Sequence, residues 1–257
     1  MGGSSLPRAN VIYLDDLDST AALAERLMAA WLEKEEDRLP ETLLVAGTQR
    51  EGRGRGENDW ESPAGGLYAN WLAWLPSGEL ANVPMAVGVT LAAAVESLFP
   101  AARVGLKWPN DLFVKGEKLG GILCHSRGSG EFLWVSVGFG VNIGAEPSLA
   151  AEGQTRAVSL RALGWNGDVQ EGVRALAAAF LENVHAALAD REGTWKRWVE
   201  RSIHRSGDAI RLRLEGGVVE GRFVGFDRDC RLELEVGGEI RRYSIGEVLF
   251  GEGSGGT

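Results

Sequence analysis

Cysteine is almost missing: only Cys124 and Cys230 occur in 257 residues. Two are too few for a disulfide framework, and both read as reduced packing residues of a cytoplasmic protein. Histidine is as scarce. His125, His185 and His204 share no ligand spacing, and the lone cysteine beside His125 cannot complete a zinc set, so no protein-held metal is expected. Cations are outnumbered, 27 Lys+Arg against 36 Asp+Glu for a net charge of -9. That balance excludes general nucleic-acid binding, which depends on neutralising phosphates. It leaves room for a local basic site. No apolar run reaches the length of a membrane span. The first five residues lack the basic-then-apolar layout of a signal peptide and read as a disordered leader. The chain also has no Walker A sequence, no dinucleotide fingerprint and no nucleophile elbow.

What is present is an ordinary globular balance, 44% hydrophobic and 25% charged, with enough length for a sizeable core. Apolar runs predict strands over 11–14, 42–46, 67–75, 104–108 and 132–143, and a hairpin of 112–114 with 119–125. Asp18, Ser19 and Thr20 sit at the N-cap of a helix over 21–31, which the charged segment 33–38 ends. Helical spacing continues over 85–98, 170–188 and 195–203. After His204 the composition changes to short alternating strands (209–214, 218–226, 232–236, 240–245) with glycine and aspartate turns, the pattern of a small antiparallel barrel. The expected division is 1–205, 206–251 and a disordered tail over 252–257.

Four segments carry chemistry. Arg50, Arg53 and Arg55 alternate with Gly52, Gly54 and Gly56 between two predicted strands. Glycines let backbone approach a ligand closely, so the segment reads as an anion-gripping loop closed by Trp60. In Lys107-Trp108-Pro109-Asn110-Asp111, proline ends a strand sharply and presents Asn110 and Asp111 beyond it. Asparagine suits a base edge, and aspartate suits a magnesium ion or a proton. On spacing alone a plain turn serves as well. Lys118 opens an apolar strand followed by Gly120 and Gly121, and is either an anion contact or a solvated hairpin residue. Gly138 and Gly140 strip one strand face of side chains, as a ligand cleft or a bulge requires, and Asn142 ends that strand.

Taken together, in this order, these segments resemble the biotin protein ligase family. The resemblance runs from Asp18-Ser19-Thr20 through Gly52-Arg53-Gly54-Arg55, Trp60-Glu61-Ser62-Pro63, Lys107 to Asp111 and Lys118 to Leu123, ending at Gly138 to Asn142. It implies an α+β fold: a mixed sheet with helices on one side, akin to class II aminoacyl-tRNA synthetases, followed by an SH3-like barrel. It also implies ATP, biotin and Mg²⁺, with biotinyl-5′-AMP as intermediate and a lysine of a biotin carboxyl carrier protein as acceptor. By motif match, Ser19, Thr20, Gln49, Gly52, Arg53, Lys118, Gly121 and Gly138 would hold biotin. Arg53, Arg55, Trp60, Lys107, Asn110, Lys118 and Asn142 would hold ATP and the adenylate. Arg55, Lys118 and Asp111 would be catalytic.

The chain departs from the family pattern at Gly56-Glu57-Asn58-Asp59, acidic where many members are basic, so weaker retention of the adenylate is expected. A strand beginning near Val11 leaves no room for the helix-turn-helix of repressor members, so no DNA partner is expected. The family contains monomers and homodimers built by sheet extension. Lipoate or octanoate ligation within the same superfamily is the enzymatic alternative, and a non-catalytic biotin or biotinyl-AMP sensor is the binding alternative.

Overall fold

The computed structural model describes residues 9–32, 40–56, 58–128, 130–145 and 155–249. The leader, the charged segment 33–38, Glu57 and the 252–257 tail lie outside the described residues. Strands β1 (Asn10–Leu17), β2 (Thr42–Gln49), β3 (Gly66–Pro76), β4 (Gly105–Lys107), β5 (Asp111–Val114), β6 (Glu117–Arg127) and β7 (Phe132–Asn142) form one seven-stranded sheet, in the order β1-β2-β3-β7-β6-β5-β4. β1 and β2 run parallel and every other neighbouring pair is antiparallel, which makes the sheet mixed, as expected.

Helices α1 (Thr20–Leu32), α2 (Val83–Leu98), α3 (Val169–Ala189) and α4 (Arg191–Arg201) pack with this sheet. Successive strand side chains alternate between faces. Leu67, Ala69 and Trp71 of β3 and Val137, Phe139 and Val141 of β7 therefore share one face, in the core with α2 and α3. Phe180 of α3 packs edge-on against Trp71 with ring centroids 5.7 Å apart and at a tilt against Phe139 at 4.6 Å. The expectation of helices on one side holds for α2 and α3. Helix α1 instead covers part of the opposite face, where its Ala24 and Met28 meet Leu44, Leu72 and Trp134. The uncovered remainder of that face carries the site.

Helix caps follow the sequence. Asp168 accepts from the Glu171 N–H at 2.9 Å to start α3, and Asp190 accepts from Gly193 N–H at 3.0 Å to start α4. The helical run Ser77–Leu98 is long and apolar enough to cross a membrane, contrary to the expectation that no run reaches that length; most of it is buried inside the protein as a core helix.

The C-terminal strands are β8 (Ala209–Leu214), β9 (Gly217–Phe226), β10 (Leu232–Val236), β11 (Glu239–Tyr243) and β12 (Glu247–Leu249), an antiparallel sheet ordered β11-β10-β9-β8-β12. This sheet agrees with the small SH3-like domain expected here; β11 and β12 lie at its two ends and do not pair with each other among the described residues. Strand β12 was not foreseen, because three residues are too short to show alternation. The core runs without a break into this sheet through Trp198, Phe223 and Phe226. At the junction, the Trp108 N–H donates to His204 Nε2 at 3.2 Å, and the Trp108 indole N–H donates to the Cys230 carbonyl at 2.9 Å. Burial, with Lys107 nearby, pushes His204 down to about 4, so it is neutral and can accept.

Away from the site, Glu41 receives the Trp71 indole N–H at 2.7 Å and the His185 ring at 2.9 Å. The Glu41 hydrogen bond raises the His185 pKa against the opposing effect of burial. A raised histidine stabilises the fold fully below its unfolded value, about 6.5, and that contribution fades as pH rises through the folded value. Urea titrations should therefore show wild type losing its margin over Glu41→Gln as pH climbs from 6 to 8. The margin at pH 6 should be about 1–2 kcal/mol. A margin constant with pH would exclude the linkage.

Candidate active site

The site is built on the face that α1 leaves open. Gly140 of β7 pairs with Tyr68 of β3 on one side and Gly121 of β6 on the other. Asp111 of β5 pairs with Gly121, and Lys107 of β4 pairs with Asp111. Paired residues in an antiparallel sheet point the same way. Lys107, Asp111, Gly121 and Gly140 thus form a row across four strands of one face, with Gly138 and Asn142 on either side of Gly140 along β7.

Lys118 reaches this face by an irregularity. Leu112 pairs with Gly120 but Phe113 pairs with Lys118, so Leu119 is the extra residue of a bulge. Strict alternation would have placed Lys118 with Gly120 and Ile122 towards the core. The bulge turns it to the site, where its ammonium lies 2.8 Å from Asp111 Oδ1. The Lys118 backbone is fixed from the other side by Arg156 and Val158, at 2.8 and 2.9 Å.

The Gly-Arg segment folds over this row. The Gly52 carbonyl accepts from Trp60 N–H at 2.8 Å, and Arg53 bridges Asp59. Gln49 ties the loop to α1: its Oε1 accepts from the Thr20 N–H at 2.8 Å and the Thr20 hydroxyl at 2.9 Å, and its Nε2 donates to Ser62 Oγ at 2.7 Å. Ser19 caps α1 through Ala22 N–H, at 3.4 Å. An open cleft of ≈ 750 Å³ lies along the loop, lined by Gln49, Gly52, Arg53 and Trp60 among others.

Trp60 sits flat on the bare strand face. A Cβ on Gly140 would come within 2.6 Å of its Nε1, and one on Gly121 within 3.1 Å of its Cζ3. Lys118 Nζ is 5.3 Å from the ring centroid. The indole nitrogen is buried without a hydrogen-bond partner. Gly140→Ala should lift the ring. Keeping Trp60 in place beside the new methyl would cost about 1–3 kcal/mol. The expected result is a red-shifted Trp60 emission, isolated by difference against Trp60→Phe; an unshifted emission would refute the seating.

The other expected residues are placed less uniformly. Arg55 Nη1 donates to the Gly246 carbonyl of the C-terminal sheet at 2.8 Å, and Arg53 pairs with Glu25 at 3.3 Å, both partners well exposed. Arg50 pairs with Asp16 and Asp18. The Asn110 amide, expected near a base edge, donates to the Ile122 carbonyl and so pins the tip of the turn to β6. Asn142 donates to the Val158 carbonyl at 3.1 Å and keeps its Oδ1 buried and unpaired. Burial, with Lys118 close by, brings Lys107 down to about 8 against the pull of Asp111 and Glu247. Asn70 shares this face and went unnoticed in the sequence, and Ser62 was noted only within a motif and given no role. Gly140 was read with Gly138 as part of a bare strand face, and the structure seats Trp60 there.

Among the described residues no three His, Cys, Asp or Glu groups converge to hold a metal. Desolvation pushes Cys124 up to about 12 and raises Cys230 as well, so both thiols stay protonated.

The sheet that carries this site lies largely within residues 26–142, which match the Biotin/lipoate A/B protein ligase family. Residues 206–251 match the Biotin protein ligase C terminal domain. The Biotin–[acetyl-CoA-carboxylase] ligase of Paracoccus denitrificans is 33% identical over 218 residues, covering 81% of this chain and 90% of the relative. The Bifunctional ligase/repressor BirA of Escherichia coli (strain K12) is 30% identical over 218 residues, covering 79% of this chain and 64% of the relative. The solved biotin protein ligase from Aquifex aeolicus in complex with biotin and ATP superposes with a TM-score of 0.70 at 27% identity, covering 93% of this chain and 97% of that one. The chain belongs to the biotin protein ligase family.

Proposed function

We propose that the protein ligates biotin to a lysine of a biotin carboxyl carrier protein in two steps driven by ATP. In the first, a biotin carboxylate oxygen attacks the α-phosphorus, the bond to the β-phosphate breaks and pyrophosphate leaves. In the second, the carrier amine attacks the mixed-anhydride carbonyl, AMP leaves and the amine loses a proton. The observation that carries this reading is the Lys118–Asp111 pair at 2.8 Å, set on a side-chain-free strand face beneath Trp60.

Two anions must meet in the first step, and fixed cations aimed at the developing charge lower that barrier. Lys118 would serve this role by neutralising the carboxylate and the α-phosphate as they meet. Arg55 and Arg53 reach the phosphates once freed from Gly246 and Glu25. Thr20, Gln49 and Gly52 frame the biotin end, with Ser19 beside them, Gly121 and Gly138 leave room for its body, and Asn142 Oδ1 offers the adenine amino group an acceptor. Asn110 holds the turn that presents Asp111. Magnesium brought in by ATP would supply further neutralisation of the phosphates, held mainly on phosphate oxygens as is usual for this ion. We divide the chain at Ser206 into a catalytic part and a C-terminal domain, and place its work in the cytoplasm.

Biotin-dependent exchange of labelled pyrophosphate into ATP tests the reading. Exchange with biotin and none with lipoate or octanoate is expected. Exchange with lipoate alone would assign the protein to the other branch of the superfamily, and binding without exchange would make it a sensor.

A further inference from the structure

The pairing of β3 with β7 sets Asn70 opposite Gly138 on the site face. Asn70 is 1% exposed. Its Oδ1 is occupied, accepting from the Ser136 hydroxyl at 3.0 Å. Its amide nitrogen has no partner. A buried amide N–H left unpaired costs free energy, and native proteins rarely leave one so without use. Next to that nitrogen the surface opens. A Cβ on Gly138 would meet nothing closer than the Asn70 Nδ2, at 3.5 Å, and Gly138 itself is partly exposed. The contrast with Gly140, whose missing side chain is replaced by Trp60, marks Gly138 as an empty slot flanked by a fixed donor.

The Lys118 stem passes over Gly121, 3.5 Å from where its Cβ would be. Gly138 lies on the neighbouring strand, two residues along from the Gly121 partner Gly140, and Asn70 one strand further, about 9.5 Å across the sheet from β6. A substrate whose carboxylate rests on Lys118 and whose side chain crosses the bare glycine face brings its far end to Asn70. This argument rests on the proposed activity. We infer that Asn70 is a specificity-determining residue of the acyl-substrate pocket: its amide nitrogen donates to an acceptor atom on the ring head of the substrate, urea oxygen or thioether sulfur. Ser136 is a positioning residue that holds the amide with its nitrogen towards the slot. A plain aliphatic acyl chain offers no acceptor there and leaves the donor unpaired, so the pocket discriminates against it.

Calorimetric binding of biotin, desthiobiotin (urea without sulfur) and octanoate to the full-length chain tests this. Asn70→Leu keeps the side-chain volume and removes the donor. It should weaken biotin about 10- to 100-fold and tighten octanoate, so the ratio of the two affinities collapses. A merely damaged fold would weaken both ligands together, and that result would overturn the inference, as would biotin affinity within twofold of wild type. Ser136→Ala should move the same ratio in the same direction by a smaller factor. Desthiobiotin weakened as much as biotin assigns the acceptor to the urea, and desthiobiotin unaffected assigns it to sulfur. Wild type that binds no biotin would instead defeat the proposed function and leave these variants without a ratio to change.

Discussion

Lys118→Met should reduce biotin-dependent pyrophosphate exchange by about 10²–10³, the usual loss when one preorganised charge donor is taken from a site. The ammonium is held on one side by Asp111 at 2.8 Å and lies 5.3 Å from the Trp60 ring centroid on the other. Its position is therefore set before any substrate arrives, and no reorganisation is required when negative charge builds on the bridging oxygens. Methionine keeps the stem and its packing while removing the charge. Thermal stability should change little, since the pair is partly exposed and such pairs contribute modestly. Arginine is not expected to rescue, because a planar fork cannot stand where a compact ammonium sits beside Asp111. An exchange rate within tenfold of wild type would remove Lys118 from the chemistry.

Asp111→Ala should slow transfer from preformed biotinyl-5′-AMP to the carrier by about 10²–10⁴, the range of a positioned proton acceptor. The incoming amine has a reference pKa of about 10.4 and must be deprotonated to attack. If Asp111 takes that proton, the deficit shrinks as pH rises towards the amine's own value. If Asp111 only orients Lys118, adenylation falls in step with transfer and the deficit does not depend on pH. Single-turnover transfer measured from pH 7 to 9.5, beside exchange on the same variant, separates the two. Full transfer activity in Asp111→Ala would rule out both roles in the second step.

Much of the site could be read from residue order because its parts are local in sequence. The turn after Trp108 is set by Pro109, the bare face by Gly138 and Gly140, and the cationic loop by three arginines among glycines. The glycines at 121 and 140 were legible as close-approach positions, but not what approaches them. That turned out to be Trp60, from a loop some sixty residues or more away in the chain. Arg55 was read correctly as a loop cation, yet its present partner is a carbonyl of the C-terminal sheet. No local pattern can announce a contact across 191 positions. Asn70 was invisible for a related reason. In sequence it is one polar residue in an apolar strand, and only the register with β7 shows that it faces a slot.

The mixed α+β class and the residues suited to carboxylate activation came from the family resemblance, whereas the sequence by itself determined the alternation of strand and helix and the change of character near His204. These depend on periodicity, turn chemistry and composition, which act over a few residues. Only the tertiary structure decided which face each residue serves. The bulge at Leu119 sends Lys118 to the site rather than the core. The path of α1 covers part of that face and leaves the rest to the site. The order of the C-terminal sheet sets β11 and β12 at its opposite ends. Each is a matter of register between segments distant in the chain, where a shift of one residue reverses the side to which a chain of side chains points.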